Sequence, residues 1–411
     1  MMIDTQRETG YRWYLLILAT LTNTLVAAAP GMSMPVLFPE ISSELGLSLV
    51  QIGTVWGISA LPGIFTILLG GMIGDRFGPR RVLIVSCLMI GLTGALRGLA
   101  VDFLSLTAAM FLFGVFAPFI TMNTLKTCGT WFPRRQLGLA SGVLSMGMAL
   151  GFLASSLFSA SVLSPWLGGW REVLFFYGVI AMALCLPWYF VRPHVSQSRT
   201  AIAQSSLGSM RRNLAYIARI RNIWLFGLVI LGVGGCIQGT LGYLPIYLRG
   251  EGWPGPTADA AVAAFHTFSM VFVVPIALLS DRLGTRKKVL LIATMMIAAG
   301  VGLLSVANGS LVWVAVCMAG MVRDGFMAVF MTAIIETDGV GAAFSGTAIG
   351  IVMVFSGIGN LVAPPLGNSL AAIDPGLPFL FWSAMTGLGF IGLLAASEKM
   401  VVAVPGLDEV V

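Results

Sequence analysis

The sequence predicts an all-α membrane protein in which twelve spanning helices form two six-helix bundles related by a pseudo-two-fold axis. Three observations predict it: the composition, the number of long apolar runs, and a short basic loop that occurs twice. Hydrophobic residues make up 57% of the chain and charged residues 10%, whereas a soluble domain carries about 25% charged residues. A water-soluble globule cannot hide this much apolar surface, so the composition indicates the lipid bilayer as solvent.

Long apolar runs follow one another along the whole chain. A helix that crosses about 30 Å of hydrocarbon needs roughly 20 apolar residues. Backbone groups in lipid must be satisfied within their own segment, so each run predicts a helix, and the roughly ten-residue alternation of a membrane barrel is absent from the sequence. The predicted spans cover residues 13–37, 49–73, 82–101, 104–128, 138–163, 173–192, 223–247, 258–280, 288–307, 311–335, 341–364 and 378–397.

The basic residues predict the orientation of the spans, because Lys and Arg concentrate on the cytoplasmic side of a membrane protein. One side carries only Arg171 and Arg249, with Arg97 near that surface. The other side carries Arg7, Arg12, Arg76, Arg80, Arg81, Arg134, Arg135, Arg282, Arg286, Lys287 and Lys288, together with the arginines between residues 192 and 222. We therefore expect a multi-pass protein of the plasma (cell inner) membrane with both termini in the cytoplasm. This topology accounts for the net charge of +6 without a nucleic-acid partner.

A polar connection rich in serine and arginine separates the first six spans from the last six. We expect an N-terminal six-helix bundle over residues 1–192, a cytoplasmic linker over 193–222 and a C-terminal six-helix bundle over 223–411. The first apolar run passes Ala27, Ala28 and Ala29, which resemble a signal-peptidase site, but it continues to Leu37. It therefore predicts a spanning helix and not a cleaved leader.

The two predicted halves repeat one loop. GMIGDRFGPRR begins at Gly71 and ALLSDRLGTRK begins at Ala277, each between the second and third spans of its half. The fifth span of each half also opens with small residues, GLASG at 138–142 and SGTAIG at 345–350. Two halves of equal topology fit parallel repeats related by an axis along the membrane normal.

The residues of the loop predict a mechanical role. Gly71 permits two helices to approach closely, Gly78 permits the tight turn, and Asp75 can pair with a guanidinium. Candidate partners of Asp75 in the first half are Arg134 and Arg135. In the second half, Glu336 and Asp338 are candidate partners of Arg282 and Arg286. We expect a latch that holds the cytoplasmic ends together in one state and breaks in the other; the alternative is that the arginines only fix the topology. The predicted latch comprises Gly71, Asp75, Arg76, Gly78, Arg80, Arg134, Asp281, Arg282, Arg286 and Glu336.

This loop resembles the signature of the major facilitator superfamily of secondary transporters, GxxxD(R/K)xGx(R/K)(R/K). The first copy matches throughout, and in the second copy Ala277 replaces the leading glycine. The resemblance covers nearly the whole chain, and the WFPRRQLGLASG segment is similar to the monocarboxylate, oxalate/formate and nitrate-type branches. It implies a monomer that works by rocking of the two bundles, with the first, fourth, seventh and tenth helices around a central cavity.

Charged residues at membrane depth are costly and therefore mark candidate functional sites. Arg323 and Asp324 lie about halfway along the tenth apolar run. We predict that Arg323 binds an anionic substrate by charge-assisted hydrogen bonds, with Asp324 as its partner or as a proton carrier. The alternative is a structural ion pair between packed helices.

Other polar residues in the apolar runs are weaker candidates. Lys126 either lines the cavity with Arg323 as a clamp for the anion, or extends to the cytoplasmic interface. His266 can titrate near neutrality and is a candidate for proton coupling. Asn23, Gln238 and Tyr243 are candidate substrate contacts, although single polar residues more often join membrane helices to each other.

The sequence therefore predicts a secondary active transporter that moves a small organic or inorganic anion, such as a carboxylate, by alternating access, either with coupling to protons or by exchange without a proton. The alternative is an exporter or facilitator of a neutral or cationic hydrophobic compound. The sequence contains no catalytic Ser/His/Asp set, metal cluster or phosphate-binding loop, so we expect neither an enzyme nor a bound cofactor or metal. The expected partners are a small-molecule substrate and the bilayer.

Overall fold

The computed structural model describes residues 2–192 and 207–396. Side chains are described for residues 10–192 and 212–396, apart from residues 67, 68, 70, 71, 134, 135, 342 and 343. Helices in the described part follow the predicted order. The N-terminal bundle contains α1 (Gly10–Leu45), α2 (Leu49–Ile58 and Ala60–Phe77), α3 (Pro79–Gly98), α4 (Phe103–Trp131), α5 (Arg134–Phe158, Ser159–Leu163 and Ser164–Leu167) and α6 (Trp170–Ala183 and Cys185–Phe190).

The C-terminal bundle begins after a short linker helix, Leu207–Ile217. It contains α7 (Arg221–Gly250), α8 (Gly255–Leu283), α9 (Arg286–Leu303), α10 (Ser310–Ile335), α11 (Gly341–Leu370) and α12 (Leu377–Ala395). Eleven helices of the described part are long and apolar enough to cross a membrane. The remaining one, α9, starts with the three basic residues Arg286, Lys287 and Lys288. It packs against α10 and α12, which places it in the bundle as the sequence predicts.

The two bundles repeat the same packing. In the N-terminal bundle α3 packs on α4 and α6, and α2 packs on α4; in the C-terminal bundle α9 packs on α10 and α12, and α8 packs on α10. The bundles meet through α2 against α11, α5 against α8, and α1 against α7. The pseudo-two-fold axis relates the contact of α2 with α11 to the contact of α8 with α5. The fold is therefore the predicted pair of six-helix bundles.

Helix α1 is longer than the predicted span. It continues past Pro35 and Pro39 to Leu45, because neighbouring helices in a bundle can satisfy the backbone groups that a proline frees. A π-helical turn over Asn23–Ala28 lies against α5. There the hydroxyl of Thr24 donates to the carbonyl of Gly147 at 2.8 Å.

Arg97 in the last turn of α3 is fully buried. Its guanidinium donates to the carbonyl of Pro30 in α1 at 2.9 Å and lies 4.1 Å from the centre of the Phe113 ring in α4. Its Nη2 atom has no hydrogen-bond partner within the described residues. Arg97 thus joins three helices of the N-terminal bundle from inside.

Helix order gives the molecule two distinct membrane faces. The connections α2–α3, α4–α5, α8–α9 and α10–α11 lie on one face, which we call the basic face because it carries Arg80 and Arg286. The connections α1–α2 and α7–α8 lie on the other, which we call the opposite face. The linker helix enters α7 from the basic face, where Tyr216 packs on Phe344 with ring centres 5.1 Å apart.

Candidate functional site

Arg323 and Asp324 form an ion pair near the middle of α10. Nη1 of Arg323 donates to Oδ1 of Asp324 at 2.8 Å, and the two side chains are 25% and 30% exposed. The bond uses one of the five donors of the guanidinium. The pair is therefore partly accessible, and Arg323 retains donors that a second carboxylate can engage.

One helix from each bundle adjoins this pair. The backbone N–H of Asp324 donates to the hydroxyl of Ser269 in α8 at 3.1 Å. The guanidinium of Arg323 lies 5.9 Å from the ring centre of Phe152 in α5. Since α5 belongs to the N-terminal bundle, the charged pair of the C-terminal bundle lies where the two bundles meet.

His266 lies one turn before Ser269 on α8 and is buried in the same region. Its ring centre is 5.2 Å from that of Phe152, and its Nε2 atom has no hydrogen-bond partner in the part of the chain that is described. The structure thus brings together three residues that the sequence singled out, Arg323, Asp324 and His266. Phe152 and Ser269 were not predicted; Ser269 shares a helical face with His266, whereas nothing in the sequence distinguishes Phe152 from other phenylalanines.

Lys126 lies at the basic face. Its Nζ atom is 2.7 Å from Oδ1 of Asp75, with side chains 30% and 52% exposed. Lys126 is therefore a partner of the acidic residue of the first loop. The predicted partner Arg134 lies outside the residues whose side chains are described, as does Gly71, so the pairing of Arg134 with Asp75 stays a prediction.

The other residues that the sequence predicts as substrate contacts, Asn23, Gln238 and Tyr243, form hydrogen bonds to neighbouring segments of the protein. The hydroxyl of Thr124 in α4 donates to Oδ1 of Asn23 in α1 at 3.0 Å. Tyr243 is buried and donates to the carbonyl of Pro375 at 3.1 Å. At Gln238 the backbone carbonyl accepts a bond of 2.8 Å from Nε1 of Trp56, which links α7 to α2 across the two bundles.

The first basic loop connects helices within the N-terminal bundle. Gly78 has φ +85°, a conformation that favours glycine, and α3 begins directly after it. Arg80 donates from Nε to the carbonyl of Trp188 at 3.2 Å and from Nη2 to that of Tyr189, so it closes the end of α6. Arg76 lies over the ring of Phe77 at 5.4 Å.

The second loop makes comparable contacts in the C-terminal bundle. Arg286 pairs with Asp281 of its own loop and with Glu336 at the end of α10, where both N–O distances are 3.2 Å. Lys287 donates to the carbonyls of Leu394 and Ala396 at 3.0 and 2.6 Å, which closes the end of α12. Arg282 is exposed. In both loops, these side-chain contacts lie within a single bundle.

Hydrogen bonds between the bundles occur towards the opposite face. Besides the bond from Trp56, Asn368 of α11 donates to the carbonyl of Leu49 at 2.8 Å, and Ser161 of α5 donates to Oδ2 of Asp259 in α8 at 2.9 Å. These residues lie in the halves of their helices that adjoin the α1–α2 and α7–α8 connections. The bundles are therefore fastened together on that side.

Two repeated bundles that meet around a charged pair in the membrane define a polytopic protein of the secondary-transporter class. The chain belongs to the Major Facilitator Superfamily, whose family model matches residues 16–364. Homologues extend over nearly the whole length. The chain is 24% identical to a probable sulfoacetate transporter of Cupriavidus necator, over 92% of this chain and 93% of that protein. It is 27% identical to a probable nitrate/nitrite antiporter of Thermus thermophilus, over 95% and 92%.

Solved structures show the same fold. A crystal structure of a mutant of the nucleoside transporter NupG matches with a TM-score of 0.80 at 14% identity, covering 93% of this chain and 99% of that one. A bacterial homologue of the lysosomal transporter Spinster matches with a TM-score of 0.71 at 17% identity, covering 93% and 92%. The predicted family and fold are thus confirmed.

Proposed function

We propose that this protein is a secondary active transporter of a small anion, of the carboxylate, sulfonate or nitrate type, which it moves by alternating access. The observation that carries the proposal is the partly exposed Arg323–Asp324 pair at the junction of the bundles. Two relatives that align with nearly the whole chain are named for sulfoacetate and for nitrate/nitrite, and both solutes are anions. A relative named for puromycin resistance aligns with 43% of the chain, so the hydrophobic-compound alternative has less support.

The charges of the site favour coupling to a proton. An entering carboxylate that binds Arg323 competes with Asp324 for the same guanidinium. The site then holds two negative charges and one positive charge in a medium of low dielectric constant, which is costly. Protonation of Asp324 removes the excess charge. We therefore assign substrate binding to Arg323 and the coupled proton to Asp324, with His266 as a second proton acceptor close by.

Alternating access follows from the distribution of contacts. Among the side chains that the structure describes, hydrogen bonds join the bundles towards the opposite face, and the loop contacts that Lys126 and Arg286 make at the basic face stay within one bundle each. We infer that this conformation opens to the basic face, that this face is cytoplasmic, and that the basic loops act by keeping each bundle rigid while the bundles rock. A monomer satisfies this arrangement, and no chemical conversion of the solute is expected.

Uptake into proteoliposomes tests the proposal. Labelled mono- and dicarboxylates, sulfoacetate and nitrate are offered to the wild-type protein and to Arg323→Ala and Arg323→Lys. We expect uptake of at least one anion, with loss in the alanine variant and partial retention in the lysine variant, because lysine keeps the charge but not the fork of donors. Arg212→Ala, at an exposed position of the linker helix, is the matched control for loss of one arginine. Full anion uptake by Arg323→Ala contradicts the proposal.

A further inference from the structure

Asp259, in the second turn of α8 near the opposite face, is a fully buried carboxylate at the junction of the bundles. Nη2 of Arg249, at the end of α7, lies 2.8 and 2.9 Å from its two oxygens. Ser161 of α5 donates to Oδ2 at 2.9 Å. The carboxylate thus accepts bonds from both bundles at once, and breaking the bond to Ser161 is a step in their separation.

This bond differs from the other two hydrogen bonds that fasten the bundles together. The bonds from Trp56 and Asn368 end on backbone carbonyls, which carry no titratable proton. The bond from Ser161 ends on a carboxylate. Among these three contacts, it is therefore the one whose strength depends on protonation.

A cleft of about 510 Å³ leads from the opposite face to this contact. The charged residues of its lining are Glu40, Arg249 and Asp259. Glu40 of α1 is half-buried, and the hydroxyl of Ser164 donates to it at 2.6 Å. The lining of this cleft therefore carries two carboxylates and one guanidinium, and a proton on Asp259 neutralises the excess negative charge.

Other charged groups that adjoin α8 lie at different depths. Arg323 and Asp324 of α10 lie beside Ser269, which is ten residues further along the helix or about 15 Å. The basic first turn of α9 lies at the far end of α8, on the basic face. Within the described residues, Glu40 and Arg249 are thus the charged groups that share the cleft with Asp259.

We propose that Asp259 is a proton-binding switch of the gate on the opposite face, and that its protonation stabilises the closed gate. In the closed gate the carboxylate is dry and lies near Glu40, whereas in the open gate water surrounds it, and Arg249 of the same bundle accompanies it in both states. We expect this loss of water to outweigh the stronger bond that the ionised carboxylate accepts from Ser161, so the closed gate holds the proton more tightly than the open gate. Acid on the opposite face then holds the gate shut, and rising pH releases it. The inference rests on the alternating-access part of the proposed function and does not depend on the identity of the solute.

Distances across the gate test the switch without any substrate. Spin labels are placed at Trp166→Cys, a strongly exposed position of α5, and Gly250→Cys, where a side chain meets open space. The half-buried Cys185 and Cys317 are replaced by serine. Between about pH 8 and about pH 5, we expect the short-distance population to grow by several-fold as the pH falls.

Two variants identify the titrating group. Asp259→Asn keeps the size and an acceptor for Ser161, and we expect it to fix the short distance at every pH. Glu40→Gln removes the excess charge, and we expect it to move the transition to lower pH. A distance distribution that does not change with pH in the parent, that changes in the reverse direction, or that still responds to pH in Asp259→Asn overturns the proposal. If Arg323→Ala loses anion uptake while its spin-label distances still respond to pH, the gate switch at Asp259 is separated from the anion site at Arg323.

Discussion

The guanidinium of Arg323 lies 5.9 Å from the centre of the Phe152 ring, so a cation of the C-terminal bundle faces an aromatic ring of the N-terminal bundle. The π face of an aromatic ring attracts a cation, with about 0.5–1 kcal/mol gained at accessible sites. The contact also orients Arg323 towards the junction of the bundles. Phe152 is therefore expected to position Arg323, the residue proposed to bind the anion.

Phe152→Leu should weaken anion transport by removing this attraction. We expect KM to rise about two- to fivefold, which corresponds to the loss of about 0.5–1 kcal/mol, with a smaller change in the maximal rate. The measurement is initial uptake against concentration in proteoliposomes. Phe152→Tyr keeps the ring and should stay close to wild type, and Phe158→Leu, at an exposed position of the same helix, controls for loss of an aromatic ring. Equal effects of the leucine and tyrosine variants would contradict the role of the ring.

Asp324→Asn should separate transport from proton coupling. The amide cannot carry the coupled proton, so accumulation driven by an imposed pH gradient should be lost. Exchange of internal for external anion should continue, with an unchanged or lower KM because Arg323 no longer pairs with a carboxylate. The two assays are gradient-driven uptake and counterflow in the same vesicles. His266→Gln distinguishes the second candidate: if only this variant abolishes gradient-driven uptake, His266 and not Asp324 carries the proton.

Gly114→Ala should destabilise the N-terminal bundle although the change is a single methyl group. A Cβ atom at this position of α4 would lie 2.2 Å from the backbone carbonyl oxygen of Ser59, between the two segments of α2, and overpacking of this kind costs about 1–3 kcal/mol. Gly129→Ala in the same helix is the matched control, because a Cβ there meets nothing within 4 Å and alanine favours the helix by up to about 1 kcal/mol. Thermal unfolding of the purified proteins should rank Gly129→Ala at or above wild type and Gly114→Ala below it.

Glu336→Gln should cost more stability than Asp281→Asn. Both carboxylates pair with Arg286, but Glu336 is 24% exposed and receives two bonds, whereas Asp281 is 61% exposed. Water screens the exposed pair, so its loss should be close to undetectable, while the loss at Glu336 should approach about 1 kcal/mol. Thermal unfolding at low and high salt measures both effects. A larger loss of stability in Asp281→Asn would show that the Arg286–Asp281 pair within the loop contributes more than the Arg286–Glu336 pair.

The sequence predicted the helices well because the bilayer imposes a length and a composition on each of them. The differences have local causes. Pro35 and Pro39 do not end α1, since the surrounding bundle supports the helix, and the basic residues that begin α9 reduce its apolar character. The repeated loop located the turns at Gly78 and Gly284, which both have positive φ.

The site was predictable only where a residue is unusual for its depth. Arg323, Asp324 and His266 stand out in apolar runs, and the structure brings them together. The residues around Lys126 in the sequence do not show its depth in the membrane, because its long side chain can extend to the cavity or to the cytoplasmic interface. Its pairing with Asp75 depends on the packing of α4 on α2, which the sequence does not show. Asp259 was missed because it lies near the end of an apolar run, where a carboxylate is ordinary. Its contact with Ser161 joins positions 98 residues apart.

The buried guanidinium of Arg97 bears on how the protein is assembled during synthesis. A charged side chain is costly in hydrocarbon, and the carbonyl of Pro30 that accepts a bond from Arg97 belongs to a helix made earlier. The order of the chain thus supplies the acceptor before the donor arrives.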